Sequence, residues 1–212
     1  MQASQAEGNH TVGDDVDEFN ALLTGVGGEG VLLTSVVISR AANIEGHEVR
    51  GTQLHGLAQR GGSIPTHVRF GRHVRSPVIR RGDADLLMAL EPLESARYAY
   101  FASKGKTNIV IDDYQVMPAY AKSVGQKYPS MDRIAGMLKP FAKSMTIIPA
   151  SNITSKELGN PVFGNMMCVG AAISMGFLPL KKGSIEKAIR QTVPRGMKEN
   201  LKAFRMGLDY RG

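Results

Sequence analysis

Short apolar runs closed by glycine-rich turns alternate along this chain with segments whose apolar residues recur every three or four positions. That is the rhythm of strands linked through helices. Phe19-Asn-Ala-Leu-Leu-Thr24 has the make-up of a buried strand, the glycines from Gly25 to Gly30 form a turn, and residues 31 to about 44 have helical periodicity. Extended segments follow at residues 47–53 and 64–70. Gly71-Arg72 then has the composition of a two-residue hairpin turn, since glycine supplies the positive φ its first position needs, so residues 73–75 are predicted to fold back as a short antiparallel partner. Residues 84–90 and 107–111 are further strands, with a helix over 93–101 between them. Ser130 is placed to cap a helix over 131–142, in which Ile134, Leu138 and Phe141 keep helical spacing, and residues 145–149 supply a last strand. The rest is predicted helical over 151–158, 161–175, 184–191 and 197–208. The expected fold is α/β, a mostly parallel, Rossmann-like sheet flanked by helices with a small antiparallel hairpin excursion. Residues 1–17 are polar, acidic and aperiodic, the pattern of a disordered tail, which leaves 18–212 as one domain.

The 212 residues, 42% of them apolar, suffice for one sizeable core. No apolar run approaches the roughly 20 residues that cross a bilayer, so transmembrane helices and a membrane partner are excluded. The N-terminus lacks the basic-then-apolar pattern of a secretory signal and the single Cys168 cannot form an internal disulfide, which points to the cytoplasm. The net charge of +7 is uneven: residues 1–18 hold five acids and no Lys or Arg, so the remainder is +12. Between Val49 and Gly82 there is no acid, while Arg50, Arg60, Arg69, Arg72, Arg75, Arg80, Arg81, His55, His67 and His73 all fall there. Such a stretch suits an anionic partner or a solvated basic face. Nucleic acid is not the expected partner, because no Trp is present and no helix-turn-helix, zinc-finger or RNP-like pattern accompanies the charge.

Gly25-Val-Gly27-Gly28-Glu29-Gly30 holds a GxGxxG string between a strand and a helix, where backbone amides can meet a phosphate. A nicotinamide or flavin site expects an acid about 20 residues on, where this chain has Thr52 and Gln53, and Glu29 would repel a pyrophosphate if it faced inward. A dinucleotide site, another anion site and a purely structural turn all remain open at this level. Gly105-Lys106-Thr107 ends like a P-loop but precedes a strand instead of following one. Gly82-Asp83-Ala84 begins like a thiamine diphosphate site but lacks the later Asn pair. One cysteine cannot build an iron–sulfur cluster, which takes about four thiolates, and no histidine has metal-ligand spacing. Cys168 reads as core, and no Ser sits in a GxSxG elbow. The segment Gly51 to Ser63 places His55, Gln59, Arg60, Gly61, Gly62 and Ser63 together, as either a carboxylate or phosphate site or a structural corner.

In combination, Gly25-Val-Gly-Gly-Glu-Gly30, His55-Gly-Leu-Ala-Gln-Arg-Gly-Gly-Ser63, His67-Val-Arg-Phe-Gly71 and Glu91-Pro-Leu-Glu94 resemble the gamma-type domain of 2-oxoacid:ferredoxin oxidoreductases over residues 19–209. Tyr128-Pro-Ser-Met131, Asn165-Met166 with Gly170-Ala171, and Val193-Pro194 with Asn200 and Ala203-Phe204 are most similar to the indolepyruvate branch of that family. The resemblance implies a subunit that is inactive alone and binds no cofactor by itself. It also implies an alpha subunit carrying thiamine diphosphate and iron–sulfur clusters, an aryl-pyruvate decarboxylated oxidatively to the acyl-CoA, coenzyme A as co-substrate, and ferredoxin reached through the complex. Gly25, Gly27, Gly28, Glu29, Gly30, His55, Gln59, Arg60, Gly61, Gly62 and Ser63 are then candidates for the coenzyme contact, and no residue here is expected to be catalytic. The alternatives are a stand-alone nucleotide-dependent oxidoreductase, a subunit acting on pyruvate or a branched-chain 2-oxoacid, and a non-catalytic assembly module; a homodimer of the isolated chain is compatible with each. The family usually has Gln where this chain has Glu29, and often Glu where it has Gln53.

Overall fold

The computed structural model describes residues 16–53, 62–117 and 125–211. Its centre is β1 (Glu18–Val26), followed by α1 (Val31–Ile44), β2 (Glu48–Gln53), β3 (Ser63–Gly71) and β4 (Leu86–Ala89). Then come α2 (Pro92–Arg97), β5 (Asn108–Asp112), α3 (Met131–Leu138), β6 (Ser144–Ile148), α4 (Ala150–Leu158), α5 (Gly164–Ser174), α6 (Lys182–Thr192) and α7 (Met197–Asp209). The strands form one sheet in the order β2-β3-β1-β4-β5-β6. β1, β4, β5 and β6 are parallel, and β3 runs antiparallel between β1 and β2. Two-faced burial explains the strand sequences. Ala21, Leu23, Leu86, Met88 and Val110 point to a core shared with α1, α5, α6 and α7. Leu22, Leu87, Ala89, Ile109 and Ile111 point to a second core with α3, Ile79 and Ala99. No helix among the described residues is long and apolar enough to cross a membrane.

The antiparallel part of the sheet is β3 against its two neighbours, not a hairpin through Gly71-Arg72. Residues 73–75 form no strand, because β1 and β2 already occupy both edges of β3; the chain beyond it bonds to side chains and to the entry of β1. Arg69 donates to the carbonyls of Ser76 (2.7 Å) and Val78 (3.3 Å), the Ile79 amide donates to His67 Nδ1 (3.2 Å), and the Arg72 amide donates to the Asp17 carbonyl (3.0 Å). The predicted helix over 131–142 stops at Leu138: Lys139 is still helical in conformation and donates to the Ala135 carbonyl, but Pro140 has no amide hydrogen with which to extend the ladder. The helix predicted over 93–101 is α2 with a 3-10 turn at Ala99–Phe101, and that over 161–175 opens with a 3-10 turn at Pro161–Phe163. α5 and α7 touch backbone to backbone. A Cβ on Gly170 would overlap the Phe204 carbonyl, and one on Gly207 the Met167 carbonyl, so both positions require glycine's bare backbone.

Candidate functional site

The turn after β1 needs glycine for two distinct reasons. Gly28 (φ 110°) and Gly30 (φ 81°) lie in the left-handed region. At Gly25 a Cβ would sit 2.7 Å from Glu29 Oε2 and 2.8 Å from Val31 Cγ2. The turn also uses its own amides: Val26 N–H donates to Glu29 Oε2 (2.8 Å), Gly27 N–H to the Gly62 carbonyl (2.9 Å) and Glu29 N–H to the Val26 carbonyl (3.2 Å). Glu29 therefore folds back under the turn, occupying a donor that a phosphate-binding loop would present.

Beside it lies a crevice of about 190 Å³ lined by Glu29, Leu90, Asp112, Ser151, Val162 and Asn165, among others. It opens at the carboxyl ends of β1, β4 and β5, where the chain switches from one side of β1 to the other, the place at which α/β sheets hold ligands. Burial pushes the Glu29 carboxyl up to about 8, reinforced by the carboxyl groups of Glu91, Asp112 and Glu94, so it is protonated at neutral pH. Burial lifts Asp112 to about 6, opposed by bonds from the Ser151 hydroxyl (2.6 Å) and amide. Glu29 Oε1 and Asn165 Nδ2 are buried without a hydrogen-bond partner among the described residues. The crevice thus offers unspent polar groups and low formal charge at pH 7. It is a better fit to a neutral polar group than to a phosphate.

Above the crevice a second network joins fragments that are distant in sequence. Glu91 caps α2 by accepting from the Glu94 amide (3.0 Å) and also accepts from the Tyr128 hydroxyl. Glu94 accepts from the Ser63 hydroxyl and from Arg97 (3.1 Å), and Ser63 meets the Tyr98 hydroxyl at 2.8 Å. Of the predicted site residues, Gly25, Gly27, Gly28, Glu29, Gly30, Gly62 and Ser63 are brought together here, whereas His55, Gln59, Arg60 and Gly61 lie outside the described residues. Asp112, Tyr114, Ser151 and Asn160 were not among the candidates. The usable signal was Asp112 directly at the end of an apolar strand, where ligand-facing polar groups collect.

Two expectations change. A dinucleotide's ribose acid would sit on a strand beside β1, but β3 separates β2 from β1, so Thr52 and Gln53 are two strands from the turn. Among the described residues, the basic Arg69 lies away from the turn. Arg69 pairs across from Asn20 near the start of β1, six residues before Val26 and so roughly 20 Å away. Cys168 is fully buried in α5, its thiol pushed well up by burial, and no cluster of three or more His, Cys, Asp or Glu that could hold a metal occurs among the described residues. The donors of this chain do not fit an iron–sulfur cluster.

Residues 20–210 match the model of the pyruvate ferredoxin/flavodoxin oxidoreductase family. An indolepyruvate oxidoreductase subunit IorB of Archaeoglobus fulgidus is 39% identical over 190 residues, 89% of this chain and 93% of that one. The subunit of the same name from Thermococcus kodakarensis is 32% identical over 90% of this chain and 95% of that one. A 2-oxoglutarate synthase subunit KorC of Archaeoglobus fulgidus reaches 28% over 91% and 87%. The same fold occurs in the gamma subunit of a keto/oxoacid ferredoxin oxidoreductase from Geobacter sulfurreducens (TM-score 0.63, 23% identity, 90% of this chain and 96% of that one). It also occurs in a 2-oxoglutarate:ferredoxin oxidoreductase from Magnetococcus marinus solved with 2-oxoglutarate, coenzyme A and succinyl-CoA (TM-score 0.65, 17% identity), where it matches 92% of this chain but 31% of the longer one.

Proposed function

Because the chain belongs to the pyruvate ferredoxin/flavodoxin oxidoreductase family, we propose that it is the small subunit of an enzyme that decarboxylates indolepyruvate or another aryl-pyruvate oxidatively, forming the acyl-CoA and passing electrons to ferredoxin. The observation that carries this reading is near-full-length identity of 39% to an indolepyruvate oxidoreductase subunit, against 28% to a 2-oxoglutarate synthase subunit. Thiamine diphosphate and the iron–sulfur clusters belong to a larger alpha subunit, since one buried cysteine cannot supply the thiolates a cluster takes.

Coenzyme A meets this chain, on the same reading, at the surface formed by Gly25, Gly27, Gly28, Glu29 and Gly30 with Gly62 and Ser63, and at His55, Gln59, Arg60 and Gly61. With three turn amides already engaged and a protonated Glu29 beside them, this surface suits the uncharged arm of the coenzyme better than its phosphates. The chain's contribution is positional: it closes one side of the coenzyme path and excludes water there.

The test is turnover by the complex of this chain with its alpha subunit, followed as coenzyme A-dependent ferredoxin reduction with a series of 2-oxoacids. Indolepyruvate and phenylpyruvate should give the highest kcat/KM. A preference for pyruvate, a branched-chain 2-oxoacid or 2-oxoglutarate would overturn the substrate assignment.

A further inference from the structure

The segment between β3 and β4 has no regular secondary structure over residues 72–81, yet it is held at fixed points. Val74 and Ile79 are buried anchors. The buried Arg69 guanidinium grips the carbonyls of Ser76 and Val78, and His67 takes the Ile79 amide. Between these points His73, Arg75, Val78, Arg80 and Arg81 face outward. An irregular strap pinned in this way presents its exposed side chains in a defined arrangement, with little ordering entropy left to lose on contact.

Among the described residues the charge at this edge does not cancel. Asp17 pairs with Arg72, Glu18 with Arg69, and Asp83 and Asp85 share Lys106. Every carboxylate named here is matched, whereas Arg75 and Arg80 have no ion-pair partner among the described residues and border a groove of about 520 Å³ with His73. Arg81 lies over the Tyr100 ring at 5.1 Å. Val78 and Tyr100, 51% and 43% exposed, are two of the five large apolar side chains most open to solvent among the described residues; Val78 lines the groove with Arg75 and Arg80, and Tyr100 carries Arg81. Arginine and tyrosine around an apolar centre is the composition of a protein-binding surface, and the excess charge selects an acidic partner.

We infer that the strap at residues 72–81, with Tyr100, is the face on which this chain docks an acidic surface of its larger partner subunit. The inference rests on the functional reading above and locates the contact at the amino-terminal edge of the parallel strands, away from the crevice.

The experiment is co-expression of the full chain with the alpha subunit, with the dissociation constant measured by sedimentation at low and high ionic strength. Arg75→Glu/Arg80→Glu should weaken assembly by about thirtyfold or more at low salt, in the range of coupling seen for close interfacial charges, and flatten its salt dependence. Arg75→Gln/Arg80→Gln should fall between, and the melting temperature of the isolated chain should stay unchanged in both, since neither arginine has an ion-pair partner among the described residues. A reversal of equal size elsewhere, Lys181→Glu/Lys182→Glu, should leave assembly intact. Normal assembly of the Arg75/Arg80 reversal, or equal weakening by the lysine reversal, would overturn the inference while leaving the functional reading in place. Failure of the unmodified chain to assemble with the alpha subunit at either salt would overturn both.

Discussion

Replacing Glu29 by Gln isolates a carboxyl that the fold displaces further from its ordinary value than it does Asp112. The carboxyl stands at about 8 against an ordinary 4.5, because burial under the turn and the nearby Glu91, Asp112 and Glu94 disfavour its ionised form. The folded chain therefore holds a proton that the unfolded chain has lost across that window. Its contribution is full below pH 4.5 and is lost progressively as pH rises through about 8. At about 1.36 kcal/mol per pH unit, the wild-type chain should lose roughly 4 kcal/mol between pH 5 and 9 from this group, less where solvent screens it. Gln keeps the acceptor for the Val26 amide and removes the titration. Asp112, raised to about 6, titrates in both proteins and largely drops out of their difference. Urea denaturation at pH 5, 7 and 9 should show the Gln variant close to wild type at pH 5 and more stable by roughly 2–4 kcal/mol at pH 9. Parallel curves across the range would refute the buried, protonated Glu29.

Gly207→Ala should cost about 3 kcal/mol or more by forcing α7 off α5, seen as a lower urea midpoint with an unchanged slope. Gly25→Ala, which drives a methyl group onto Glu29 and Val31, should destabilise by about 1–3 kcal/mol. At Gly28 the space is open and only the positive φ resists, so Gly28→Ala should cost about 1–2 kcal/mol and leave the pH dependence of stability intact. Arg69→Met should cost about 1–3 kcal/mol by leaving the Ser76 and Val78 carbonyls and the Asn20 amide oxygen without their donor. Hydrogen exchange should then rise over residues 72–81 before the rest of the sheet.

Periodicity located α1 from Val31 to Ile44 and all six strands to within a few residues, because burial on two faces or one leaves distinct spacings. It could not say that β3 enters between β1 and β2. A period of two marks a strand and its buried face but not its neighbour. The hairpin at Gly71 failed for a related reason: β1 and β2 occupy both edges of β3, so a returning strand has no edge to pair with, and the chain beyond is held instead by Arg69 and His67, which read as generic basic residues. The glycine turn and the Gly62-Ser63 string were legible as separate motifs but their attachment through Gly27 and Gly62 was not, and Glu29, which the sequence set against phosphate binding, folds back onto the Val26 amide. Asp112 and Ser151 were invisible as a pair, since 39 residues separate them and only the sheet brings them together.

Titrating this chain into isolated alpha subunit tests whether it is a necessary subunit with no oxidoreductase chemistry of its own. With indolepyruvate, coenzyme A and oxidised ferredoxin present, ferredoxin reduction should be negligible for either protein alone and should rise to a plateau at a fixed stoichiometric ratio. Turnover by this chain alone, or full coenzyme A-dependent turnover by the alpha subunit without it, would contradict the account.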